Sequence, residues 1–191
     1  MQDGTRQVVM GGALLLALLA AYSNHFGNGF HFDDAHAVVE NPAIRTLENV
    51  PRFFADATTF SHDPAAQTYR PLVTASLALD YWLGQGLNPY WFHISTFFWY
   101  AIQLLLMYRL YLYVLERTRP GAENTWVAWF AVAIYGLHPA SAETVNYVIQ
   151  RGDLYVAVGI VAGVVMYAWK PAWRRFGFYL LAPLAAMFSK P

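Results

Sequence analysis

The residues best suited to chemistry fall into three groups. The first is Phe32-Asp33-Asp34, flanked by His31 and His36. Adjacent carboxylates can serve as a general base, or bind a divalent cation through oxygen. His31 and His36 would extend such a cation site. Asp side chains also close turns, so a solvated loop is the alternative. The second group is Tyr69-Arg70-Pro71-Leu72. The planar fork of Arg70 suits a phosphate, and an arginine there would equally serve as an interface anchor. The third group is His138, Glu143, Arg151 and Asp153, between two apolar runs. Ionisable groups at membrane depth are expensive and point to function. A Glu143–Arg151 or Arg151–Asp153 pair bracing a re-entrant turn would also account for them.

The elements that position these groups depend on the solvent. Apolar residues make up 57% of the 191 and charged residues 13%, against roughly 25% charged in soluble domains. That deficit points to lipid. Aromatics reach 17%, with 7 Trp and 13 Tyr, types that gather at membrane–water interfaces. Acidic and basic residues balance at 12 each, so no attraction to nucleic acid is expected. The chain has no Cys, which excludes disulfides, thiol nucleophiles and thiolate metal sites.

An all-α integral membrane domain is therefore expected over residues 1–191. About five spans are expected, at roughly 7–23, 91–115, 124–138, 154–169 and 176–189, each near the ~20 residues that cross a bilayer. The first resembles a signal peptide, but Ala20-Ala21-Tyr22-Ser23 is a poor cleavage site, so a retained helix is expected. Pro183 should kink or break the fifth. Residues 24–90 carry Asp33, Asp34, Glu40, Glu48, Asp56, Asp63 and Asp80 and form a long first loop. Two short interfacial helices are expected inside it, one starting near Val50 and one over Pro71–Leu83. Proline suits a first helical turn, and Gly84 marks the second helix's stop. Gly159 and Gly163 are spaced for close helix packing.

Arg6, Arg117 with Arg119, and Lys170 with Arg174 and Arg175 mark cytoplasmic ends. The expectation is a multi-pass protein of the inner (cytoplasmic) membrane with a cytoplasmic N-terminus. All six His and most of the acidic residues then lie on the extracytoplasmic face.

A further set of motifs runs in order along the chain. It comprises Phe32-Asp33-Asp34, Val39-Glu40-Asn41-Pro42, Tyr69-Arg70-Pro71-Leu72, Ala78 to Gly84 and Phe92-His93. It continues with Leu137-His138-Pro139, Glu143 to Tyr147, Gln150 to Leu154 and Ser189-Lys190. Together these resemble the N-terminal membrane region of the transmembrane and tetratricopeptide-repeat-containing O-mannosyltransferases, in a truncated bacterial-type form. Those are glycosyltransferases of the family C fold. The resemblance implies a polyprenyl-phosphate sugar as donor and a protein hydroxyl as acceptor. It implies catalysis by Asp33 or Asp34, donor phosphate binding by Arg70 and Arg151, and a pocket shaped by His138, Glu143 and Asp153. A divalent cation is a further expectation of the carboxylate pair. Thr96 and Tyr100 stand where relatives often carry Asn and His, and Pro191 replaces an expected Glu. A competing expectation is a shortened, non-catalytic relative serving as a structural subunit of a larger membrane complex, such as an energy-transducing or photosynthetic assembly.

Overall fold

The structure is a computed structural model describing the backbone of residues 2–190 and side chains from Gly4 onward. Pro191 lies outside the described residues. In chain order the helices are α1 (Gln2–Ala21), α2 (Val50–Phe53), α3 (Pro71–Leu83), α4 (Pro89–Thr118), α5 (Asn124–Gly136), α6 (Ser141–Asn146), α7 (Arg151–Trp169), α8 (Pro171–Arg174) and α9 (Leu181–Ala186). No strand occurs among the described residues.

Among the described residues, three helices are long and apolar enough to cross a membrane: Gly4–Ala21, Pro89–Thr118 and Val148–Trp169. These match the first, second and fourth expected spans, and the chain is a multi-pass membrane protein. The third and fifth expected spans form shorter helices. The 13 residues of α5 rise only about 20 Å, short of a bilayer core. Tyr100 donates its hydroxyl to the Gly136 carbonyl at the end of α5 (2.8 Å). The irregular stretch after Leu137, with α6, then brings the chain back to the start of α4. The fifth run is split. Gly177 adopts a left-handed φ of 68° ahead of a 3-10 turn, and α9 holds only six residues.

The first three spans and α5 bury a shared core of Leu14, Leu18, Phe97, Leu104, Val132 and Leu154. Tyr108 and Trp129 stack within it, ring centroids 4.1 Å apart. Outward side chains such as Leu16, Phe98 and Ile160 are exposed, the pattern of a surface meant for lipid.

Residues 24–70 form a folded cap. Its own core contains Val38, Ile44, Phe53 and Phe60, packed on Val73 and Leu77 of α3, Phe92 of α4 and Ile149. Asn41 ties the cap together. Its Nδ2 donates to the carbonyls of Ala37, Thr59 and Phe60, while its Oδ1 accepts from Ala43. Helices occur at both places where short helices were expected in this region, as the four-residue α2 and as α3. Pro71 opens α3, and Gly84 closes it by donating to Asp80 O.

Candidate active site at the cap end of the bundle

Asp33 and Asp34 do different things. Asp34 is 1% exposed. Its carboxylate accepts from the backbone of His31 (3.0 Å) and of Ile149 (2.9 Å), pinning the cap to the start of α7. Burial pushes its pKa up, against the pull of those N–H donors and of Arg151. Asp33 points outward, with its side chain 67% exposed. The Tyr147 hydroxyl accepts from its backbone N–H (2.8 Å). His36 Nε2 lies 3.7 Å from its carboxylate, and His36 Nδ1 meets Ser61 Oγ at 2.9 Å. Burial, ahead of the nearby carboxylates, pushes the Tyr147 phenol up to about 12. Of the two carboxylates, that of Asp33 is the exposed one, and it faces His36.

Phe32, one residue earlier, has φ 49°. A bulky side chain in the left-handed region costs about 1–2 kcal/mol. The turn that imposes it is closed by the Asp34 carboxylate on His31 and by Asp34 N–H on the His31 carbonyl (3.0 Å).

The Asp34 carboxylate accepts two backbone N–H groups in a buried position, while that of Asp33 is exposed. Among the described residues no group of three or more His, Asp or Glu is placed to hold a metal. His31 is exposed and serves the turn through its backbone.

Arg151 lies inside the fold. It is fully buried. It forms an ion pair with Asp80 and donates to the carbonyls of Val148 (3.1 Å) and Phe92 (2.9 Å). Its Nη1 also reaches the Oγ of Ser76 (3.4 Å), a residue of the apolar groove between α3 and α7. Neither expected internal pair forms: the partner of Arg151 is Asp80 of α3, and Asp153 pairs with Lys190 at 2.5 Å. His138 and Glu143 are exposed. His138 accepts from Ala140 N–H in its own turn (3.1 Å).

Arg70 fits a phosphate better. Its guanidinium lies over the Phe60 ring, 4.9 Å from the centroid, and its buried Nε has no hydrogen-bond partner. Leu72 N–H, two residues on, donates to the Phe188 carbonyl (3.1 Å), which brings the Ser189-Lys190 segment to the start of α3. An apolar groove of about 380 Å³ runs from there between α3, α4, α7 and α9, lined by Leu72, Trp99, Val158, Ala182 and Ser189 among others. Lys190 and Tyr147 lie within the ordered motifs, but nothing in their spacing indicates a role. Their roles depend on contacts more than 35 residues away, to which spacing is blind.

Protein O-mannosyl-transferase Tmtc2 of Drosophila melanogaster is 26% identical over 159 residues, 82% of this chain and 16% of the fly protein. Mouse TMTC3 is 24% identical over 158 residues (81% and 16%). Mouse TMTC2 is 27% identical over 154 (78% and 17%). The chain is related to the TMTC family of protein O-mannosyltransferases. It spans only 16% of the length of the first two of these relatives. No family model matches it, and no solved structure does. Thr96 donates its hydroxyl to the Phe92 carbonyl within α4, and Tyr100 donates to the Gly136 carbonyl, tying α4 to α5.

Proposed function

We propose that this chain forms the cap end of a glycosyltransferase site, which moves a sugar from a polyprenyl-phosphate donor to a protein hydroxyl on the extracytoplasmic face. The observation that carries this reading is an apolar groove whose rim is formed by the start of α3 and the segment around Ser189. Arg70 immediately precedes α3, and its Nε has no hydrogen-bond partner among the described residues, while Lys190 is paired with Asp153. The groove suits an isoprenoid chain, and Arg70 suits its phosphate.

In this reaction Asp33 takes the proton from the acceptor hydroxyl. The acceptor oxygen attacks the anomeric carbon as the bond to the phosphate oxygen breaks on the opposite face, giving inversion. Polyprenyl phosphate leaves with the bonding pair, and Arg70 stabilises its growing charge. His36 is placed to orient the carboxylate. His138, Glu143 and Asp153 stay outside this scheme. Orientation follows the positive-inside rule, with Arg6 and Arg117 at the end opposite the cap.

The test is sugar transfer to a serine- or threonine-bearing peptide, using the native protein in membranes. Asp33→Asn should lower kcat about 10²–10⁴-fold with donor KM little changed. Arg70→Gln should raise donor KM. Full activity in Asp33→Asn would defeat the proposal.

A further inference from the structure

We propose that Phe32 and Tyr147 form an aromatic corner receiving the pyranose ring of the transferred sugar beside Asp33. This inference rests on the transferase reading above. Phe32 is 85% exposed and is held there in a left-handed backbone conformation. A phenyl ring in water and a strained backbone are both unfavourable, and such combinations persist where surrounding structure enforces them. Here the enforcing group is the buried Asp34 carboxylate, which closes the turn from beneath. The strain thus falls on the residue next to Asp33, the exposed carboxylate of the pair.

The corner has both halves of a sugar-binding surface. Phe32 meets Tyr147 edge to face, ring centroids 5.8 Å apart and planes at 79°. A pyranose has an apolar C–H face suited to such a ring. Its rim of hydroxyls suits the polar groups alongside: the Asp33 carboxylate and His36. Insertion of Phe32 into the bilayer fits less well, because exposed His31 and Asp33 flank it and would have to be desolvated with it.

The experiment compares two probes on the full-length native protein in nanodiscs: a short-chain prenyl phosphate, and the same lipid carrying mannose. The ratio of their Kd values isolates the sugar's contribution. Wild type should prefer the mannosylated probe. Phe32→Leu should lose about two- to tenfold of that preference, the range for one aromatic contact, and Phe32→Trp should keep it. Binding of the bare lipid should be the same in all three. Phe32→Gly, which relaxes the turn, should unfold at an equal or higher temperature while losing the preference. A preference retained in Phe32→Leu overturns the proposal, as does its absence from wild type or a clear drop in Tm for Phe32→Gly. Transfer is assayed in parallel. A wild type that prefers the mannosylated probe but transfers nothing would sink the transferase reading and leave the aromatic corner standing.

Discussion

Asp33 and Asp34 are neighbours with the same side chain, and their surroundings give them opposite tasks. Asp34 satisfies two backbone donors in a dry site. Asp34→Ala should cost about 2–3 kcal/mol, since it strands buried N–H groups. Asp33→Asn, at an exposed position, should change stability by less than about 0.5 kcal/mol while transfer collapses. Denaturation of both variants in detergent separates the roles, and equal stability losses would contradict them. Arg151 and Asp80 make a second residue-scale case. Removing one partner of a buried pair leaves an uncompensated charge and costs about 3–5 kcal/mol. Arg151→Met alone should therefore be severe, and Arg151→Met with Asp80→Leu should recover most of the loss. A double variant no more stable than the single would show that the carbonyl contacts of Arg151, not the ion pair, hold the site.

At the scale of elements, glycine decides how the C-terminal segment lies on α7. A Cβ at Gly159 would collide with Ala186 and come within 2.8 Å of the Ala182 carbonyl. At Gly163 it would meet the Tyr179 carbonyl at 2.9 Å, and at Gly152 the Ser189 carbonyl at 3.0 Å. This close approach seats Ser189 in the groove and Lys190 on Asp153. Gly159→Val should lower stability by about 1–3 kcal/mol through overpacking and loosen the rim. The check is an engineered crosslink between positions 153 and 190, which should form more slowly in the variant. An unchanged crosslinking rate would mean that the rim does not depend on this packing.

At the scale of the molecule, the cap is a folded body wedged onto the helix ends, so its stability should respond to pH. His25 is buried where the cap meets α4. It bonds to Asn146 and to the His93 carbonyl (2.9 Å each), with the His93 ring 4.5 Å away. Burial, with Arg151 adding to it, lowers its pKa below the ordinary 6.5. The unfolded chain therefore binds the extra proton more readily, and stability should fall as pH drops from 6.5 toward the depressed folded value. Melting curves at pH 7.5 and 5 should show this loss, with a shallower slope in His25→Gln. A wild type equally stable at both values would contradict it. Because the chain lacks Cys, Asp63→Cys and Glu123→Cys can be labelled singly, and they should react from opposite sides of the membrane.

Some of this was legible in the residues alone. Three spans followed from length and hydropathy, because lipid allows a backbone to cross only when its polar groups bond within the segment. The bounds of α3 followed from Pro71 and Gly84, because capping is local chemistry. The carboxylate pair and Arg70 stood out by type, and ordered motifs carried the family resemblance. Two runs that hydropathy read as spans proved too short or broken, since apolar content does not reveal where a chain stops being one helix. Which of two adjacent aspartates faces solvent was decided only by tertiary structure. So were the partner of Arg151, found in α3 and not in its own loop, and the seating of Lys190 on Asp153. Each is a choice among competing partners distant in sequence; for Asp34 and Arg151, which are buried, it favours the arrangement that satisfies their polar groups.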